Sequence, residues 1–162
     1  MELSICTDVY ADLSYTEMLD KVKSLGVNAV EMTAGGWGAQ KHCPTQKLLA
    51  DDNAVKEYLA ELEKRDMTIA ALNCSCNPLW PSETGEKFSQ SMYDCVLLAE
   101  KLGIKKLFVW QACQPAVKRI LYQTGSPQRF LGRIIQHRLT NISGKSPSTG
   151  GKSLLLFVRN MV

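Results

Sequence analysis

The sequence predicts an α/β fold in which parallel strands alternate with helices. Short apolar segments of strand length alternate with longer segments whose apolar residues recur at helical spacing. This pattern occurs three times before a fourth strand begins, and the third strand is almost wholly apolar, as expected when both faces of a sheet are covered. The predicted order β-α-β-α-β-α-β implies right-handed crossovers. A (β/α)₈ barrel and an open doubly wound sheet both fit it.

The first unit begins with a strand candidate at Leu3–Thr7. Ser14 and Glu17 have the spacing of a capping box, so we expect a helix to begin after Ser14. Gly26 is placed to end that helix, because glycine adopts a positive φ at little cost.

The second unit begins with a strand predicted at Asn28–Thr33. We expect Gly35 and Gly36 to lie in a loop that follows it, since paired glycines are typical of loops. A helical region is predicted from Pro44 onward. The apolar stripe of this region comprises Val55, Tyr58, Leu59 and Leu62.

The third unit begins with a strand predicted at Thr68–Cys74. A loop is expected from Asn77 through Gly85, followed by a helix from about Glu86 to Leu102 with Gly103 after it. The fourth strand is predicted to begin at Lys105.

Charge divides the 162 residues into two parts. Residues 1–106 contain all 16 acidic residues and 11 Lys and Arg, for a net charge of −5. Residues 107–162 contain eight Lys and Arg and no acid, for a net charge of +8. We therefore treat 1–106 as the folded domain and 107–162 as a basic, acid-free tail that we expect to be poorly ordered.

Composition also bounds the class of protein. No apolar run approaches the roughly 20 residues of a membrane helix, and the first residues resemble a strand more than a signal peptide. The six cysteines include no CxxC pair. We interpret them as reduced thiols and expect a cytoplasmic protein that does not associate with membranes.

Polar residues follow the predicted strands, where a barrel places its chemistry. Glu31 is a candidate substrate-binding or proton-transfer carboxylate, or a carboxylate held by loop amides or an ion pair. His42 is a candidate ligand for a sugar hydroxyl or phosphate, or an exposed loop histidine. Asn73 is a candidate for binding a substrate hydroxyl, or an amide that caps a loop. Cys74 and Cys76 fit small buried thiols better than a metal site, which would need two more ligands.

Several motifs in this order resemble the sugar phosphate isomerase/epimerase family, over residues 1–106 only. The matching segments are Ser4-Ile5-Cys6-Thr7, Val30-Glu31-Met32-Thr33, Gly35-Gly36-Trp37, Lys41-His42-Cys43-Pro44, Ala71-Leu72-Asn73-Cys74-Ser75, Asn77-Pro78-Leu79 and Leu98-Ala99-Glu100-Lys101-Leu102-Gly103. The resemblance implies the amino-terminal half of a xylose-isomerase-like TIM barrel. It also implies a sugar or sugar phosphate as the small-molecule partner.

The implied reaction is a metal-assisted aldose–ketose isomerisation or an epimerisation. In the family a divalent ion (Mn, Mg, Co or Zn) stabilises the charge that forms when a proton leaves the carbon beside a carbonyl. The metal ligands come mainly from later strands, for which this chain has no counterpart. We therefore expect this chain to have little or no catalytic activity and no metal site of its own, and we assign no catalytic residue. We also expect the chain to self-associate through an open sheet edge.

The tail has the character of an out-of-frame peptide. If the codons of the tail are read in the frame that starts at each third base, acidic residues and family-like segments can reappear. The same frame serves several stretches, for example Cys113–Pro127 and Leu139–Lys145. We hypothesise that the reading frame shifts near Leu107. The alternative is a non-catalytic binding fragment, which would bind sugar phosphate or would bind nucleic acid through the basic tail. This alternative includes the related AP-endonuclease-type barrel. We do not expect nucleic acid as the partner.

Overall fold

The computed structural model describes residues 3–78, 80, 82–111 and 155–160. Its elements alternate strand and helix, as the sequence predicts. The strands are β1 (Ser4–Cys6), β2 (Ala29–Gly36), β3 (Thr68–Ser75), β4 (Lys106–Gln111) and β5 (Leu155–Asn160). The helices are α1 (Tyr15–Ser24), α2 (Thr45–Ala50), α3 (Asp52–Glu63) and α4 (Glu83–Lys101), with a short 3₁₀ helix at Thr7–Tyr10.

The five strands of the described residues form one parallel sheet in the order β1-β2-β3-β4-β5. Strand order follows chain order without reversal. A doubly wound sheet needs a reversal, because right-handed crossovers otherwise place every helix on the same face. The described strands therefore have the order of a barrel-like α/β sheet.

The helices form one layer. The rings of Tyr15 on α1 and Tyr58 on α3 stack with centroids 4.5 Å apart. The Gln46 amide of α2 donates to an oxygen of Asp94 on α4 at 2.7 Å. Helix α4 packs on β2, β3 and β4. Each helix thus contacts a neighbour within the layer.

The core lies between this layer and one face of the sheet. The strand side chains that face it are almost fully buried, with 0–1% of their surface exposed: Val30, Met32, Leu72, Cys74, Leu107 and Val109. From the helices, Met18, Leu19 and Val22 of α1 and Cys95, Leu98 and Ala99 of α4 are 0% exposed.

The capping box predicted for α1 is confirmed. The Ser14 hydroxyl accepts from the Glu17 backbone N–H, and a Glu17 carboxylate oxygen accepts from the Ser14 N–H at 2.9 Å. Gly26 and Gly103 follow their helices with φ of +75° and +69°, the left-handed conformation expected of them.

The prediction of a loop at Gly35 and Gly36 is wrong, because β2 continues through both residues. Ala34 is an extra residue in the pairing with β3, after which Gly35 pairs with Cys74 and Gly36 with Ser75. A Cβ on Gly35 would lie 2.5 Å from the Ser91 hydroxyl and 2.6 Å from the Cys95 sulfur. Glycine is therefore needed where α4 packs closely on the strand, not to form a loop.

Two element boundaries and the burial of one residue also differ from the predictions. The helical region after Pro44 is two helices, since Asp51 is extended and its side chain accepts from the Asn53 N–H at 2.8 Å to begin α3. Leu59, predicted to be in the apolar stripe, is 37% exposed. Helix α4 begins at Glu83 and not at Glu86, so Gly85 lies in its first turn, against the Trp80 carbonyl.

The predicted tail begins within β4, which runs from Lys106 to Gln111. Residues 155–160 form β5 and pair with β4. The remainder of the tail, 112–154 and 161–162, lies outside the described residues, as does any nucleic-acid interface there. Within the described chain, no helix has the length and apolarity needed to cross a membrane.

Candidate functional site

The candidate site lies at the carboxyl ends of β1, β2 and β3, on the sheet face opposite the helices. Register places Cys6 beside Glu31 and Thr33 beside Asn73. Because alternate residues of a strand share a face, Glu31 and Thr33 lie on the same side of the sheet as Asn73 and Ser75. Cys6, Glu31, Asn73 and Ser75 are each partly exposed, whereas Met32, Leu72 and Cys74 between them are 0% exposed on the other face.

Glu31 and Asn73 are joined directly. The Asn73 amide nitrogen donates to one carboxylate oxygen of Glu31 at 2.7 Å, and the Ser75 hydroxyl donates to the Asn73 amide oxygen at 2.7 Å. Both ends of the Asn73 amide are therefore used, which fixes its orientation. The second oxygen of Glu31 makes no hydrogen bond with any described residue, so it is available to a ligand hydroxyl.

Cys6 lies between two carboxylates. Burial raises the pKa of the Cys6 thiol, and the negative charges of Glu31 and Asp8 raise it further. A hydrogen bond from the Asp8 backbone offsets part of this rise in pKa. The thiol is therefore neutral at physiological pH, which argues against a nucleophilic role for Cys6.

The chain after β2 turns back over the site. The Trp37 N–H donates to the Ser75 carbonyl at 2.9 Å. Gly38 packs directly on the Thr33 side chain, and a Cβ at Gly38 would lie 3.5 Å from an Asp8 oxygen. The Trp37 ring meets Phe88 edge to face at 5.9 Å and is 53% exposed. A half-exposed aromatic ring thus stands at the rim of the polar face.

His42 is not an exposed loop residue, and in the described part of the chain it is not hydrogen-bonded to the Glu31–Asn73 pair. It is 4% exposed, and its Nε2 lies 3.0 Å from the Leu13 carbonyl oxygen, which only accepts, so this nitrogen donates. Its backbone carbonyl accepts from the Tyr58 hydroxyl at 2.9 Å. No hydrogen bond of the described residues joins His42 to Glu31 or Asn73. These contacts tie the loop before α2 to α3 and to the segment before α1.

The structure adds Asp8, Thr33 and Ser75 to the predicted residues. Thr33 follows Glu31 by two residues and Ser75 follows Asn73 by two, so strand periodicity was the available signal. The sequence signal for Asp8 was weaker. Asp8 follows Cys6 by two residues, and only the register of β1 with β2 shows that Cys6 lies beside Glu31.

The buried thiols make no disulfide. Cys43, Cys74, Cys76 and Cys95 are buried and free, and Cys6 is partly exposed. The sulfurs of Cys74 and Cys76 lie 3.8 Å apart, within the core. In the described part of the chain, no group of three or more His, Cys, Asp or Glu side chains is arranged to hold a metal ion.

Comparison with known proteins finds a related protein whose name states no function. No family model matches the chain. The chain is 40% identical over 109 residues to the uncharacterized protein YfiH of Bacillus subtilis, a match that covers 67% of this chain and 35% of YfiH. The matched region thus spans about a third of the length of that relative.

Proposed function

We propose that residues 1–106 are the amino-terminal part of a xylose-isomerase-like barrel of the sugar phosphate isomerase/epimerase type. In this proposal the polar face of the sheet forms one wall of a polyol site. The observation that carries the proposal is the Asn73–Glu31 hydrogen bond, which lies at the carboxyl end of the strands, where barrels bind their ligands. The sequential order of the strands and the single helix layer support it.

The geometry suits a ligand with several hydroxyls. Asn73 and Ser75 hold one oxygen of Glu31 in place, which leaves the other oxygen to accept from a ligand hydroxyl. Trp37 offers an apolar surface at the rim for the C–H groups of a sugar. In an isomerisation, such a wall would orient the carbon that loses its proton.

A divalent metal is part of the reaction that the resemblance implies. The described residues do not fit a metal, because none of their acidic, His and Cys side chains form a group of three that could coordinate one. We therefore assign no step of the reaction to a metal held by this part of the chain. We propose that the chain as written binds a polyol weakly and turns it over slowly or not at all.

Binding of D-fructose to the full chain, measured by calorimetry, tests the proposal. We expect a millimolar dissociation constant that rises about five-fold in Glu31→Gln, which keeps the acceptor for Asn73 but removes the charge. The matched control is Glu57→Gln, an exposed position on α3. Equal binding by the chain and by both Glu31→Gln and Asn73→Ala would refute the polyol wall.

The tail requires a second test. The support for this test is the charge division, since residues 107–162 carry no acid and residues 1–106 carry all 16. We propose that the reading frame shifts near Leu107. A raw sequence of the gene across codons 100–165 should show that a change of one or two bases restores an acid-containing frame. A clean read with no such frame would refute the shift.

A further inference from the structure

The polar wall carries two negative charges without a cation to balance them. Glu31 lies beside Cys6 in the strand register, and a Cβ at Gly38, which packs on Thr33, would lie 3.5 Å from an Asp8 oxygen, so both carboxylates border the same part of the face. Among the described residues, no ion pair involves Asp8 or Glu31. An anion placed on this wall would meet repulsion from both carboxylates.

The two basic side chains in the segment between β2 and α2 are engaged by backbone carbonyls. The Lys41 ammonium donates to the carbonyls of Ala11 and Asp12 at 2.9 and 3.0 Å. The ring of His42 donates to the carbonyl of Leu13 and is 4% exposed. His42 was the candidate for a phosphate, and both it and the neighbouring Lys41 are engaged by backbone carbonyls.

An unpartnered hydroxyl at the same place points to a ligand. Thr33 is 4% exposed, lies two residues after Glu31 on the same face, and pairs with Asn73 of β3. Its hydroxyl has no hydrogen-bond partner among the described residues. Buried hydroxyls are normally paired, so a ligand group able to donate or accept a hydrogen bond would complete this site.

We propose that this wall selects an uncharged polyol and excludes the phosphate ester of the same sugar. The inference rests on the proposed function and narrows its substrate class: the portion of the ligand that faces β1, β2 and β3 carries hydroxyls and no phosphate. Asp8 and Glu31 act as specificity residues by repelling anions, whereas Asn73 and Ser75 orient Glu31.

The experiment measures binding of D-fructose, D-fructose 1-phosphate and D-fructose 6-phosphate to the full chain by calorimetry. At about 20 mM ionic strength we expect both esters to bind at least about five-fold more weakly than fructose, and the difference to shrink at about 0.5 M salt. The double variant Asp8→Asn with Glu31→Gln should bring the ratio of ester to fructose dissociation constants close to one.

The matched control is Asp66→Asn, because it removes one negative charge at the amino end of β3, far along the sheet from the wall. Asp66 is exposed and has a φ of +52°, a conformation that asparagine tolerates. The control should leave the ratio of ester to fructose dissociation constants unchanged. Because the basic tail is present in every variant, its attraction for phosphate cancels when the variants are compared.

Each outcome decides between the two proposals. Esters that bind as tightly as fructose or tighter, with a ratio that the double variant does not change, would overturn the inference and leave the polyol wall standing. Absence of binding by fructose and by both esters would refute the proposed function, and the inference with it. Weak ester binding that the double variant restores would support both.

Discussion

The two faces of one sheet have opposite characters in this protein. Leu72 and Asn73 are adjacent in β3, yet Leu72 is 0% exposed against the helix layer and Asn73 lies part-buried in hydrogen bonds on the other face. The same alternation separates Met32 from Glu31 in β2. Packing on the first face supplies stability, whereas the second face carries the polar groups that we propose bind a ligand.

The largest expected effect is a truncation on the helix-covered face. Leu72→Ala should lower the free energy of unfolding by about 3 kcal/mol, because it leaves a cavity at a fully buried position. Asn73→Ala, one residue away on the polar face, should cost about 1 kcal/mol. Urea denaturation of the two variants makes the comparison, and equal losses would contradict the division between faces.

The close contact of β2 with α4 should be nearly as sensitive. Gly35→Ala places a Cβ against the Ser91 hydroxyl and the Cys95 sulfur, so we expect a loss of about 2 kcal/mol from overpacking. Combining Gly35→Ala with Cys95→Ala removes the sulfur atom that the new Cβ would contact. The double variant should lose less stability in urea than the sum of the single variants, and strict additivity would argue against this contact.

The two buried tyrosines offer a matched pair for hydrogen bonding within the helix layer. Tyr58 and Tyr93 are each 7% exposed. The Tyr58 hydroxyl donates to the His42 carbonyl, whereas the Tyr93 hydroxyl has no partner among the described residues. Tyr58→Phe should cost about 1 kcal/mol in urea unfolding and Tyr93→Phe should be close to neutral. A larger loss for Tyr93→Phe would show that its hydroxyl is paired.

The smallest effect is expected at an exposed helix end. Hydrogen bonds from the Ser14 side chain and backbone lower the pKa of Glu17. A carboxyl whose pKa is lower in the folded state stabilises the fold above its ordinary pKa of about 4, and this contribution is lost as pH falls below that value. Glu17→Gln should therefore slightly reduce the fall in Tm between pH 6 and pH 3.

The control for Glu17 is Glu57→Gln, on the exposed side of α3. It lies away from the helix start, so its removal should not alter the same difference in Tm. An equal reduction in both variants would mean that general charge, and not the capping box, produces the acid sensitivity.

Local chemistry in the sequence determined the elements that depend on neighbours along the chain. The capping box of α1 and the helix-ending glycines 26 and 103 were predicted correctly, because each involves residues within a few positions of one another. The alternation of strands and helices, and the parallel sheet, followed from hydrophobic spacing. Of the predicted site residues, Glu31 and Asn73 are brought together, and Thr33 and Ser75 follow them at strand spacing.

Only the tertiary structure decided what the glycines and His42 do. Gly35 and Gly36 are typical of a loop in sequence, but α4 leaves no room for a side chain at Gly35, and the Ser75 backbone of β3 leaves none at Gly36, whose φ is +81°. A histidine side chain can bind a ligand, but the Nε2 of His42 is hydrogen-bonded to the carbonyl of Leu13, 29 residues away in sequence. Contacts between residues distant in sequence fix both outcomes, and local spacing carries no information about which distant group a side chain will meet.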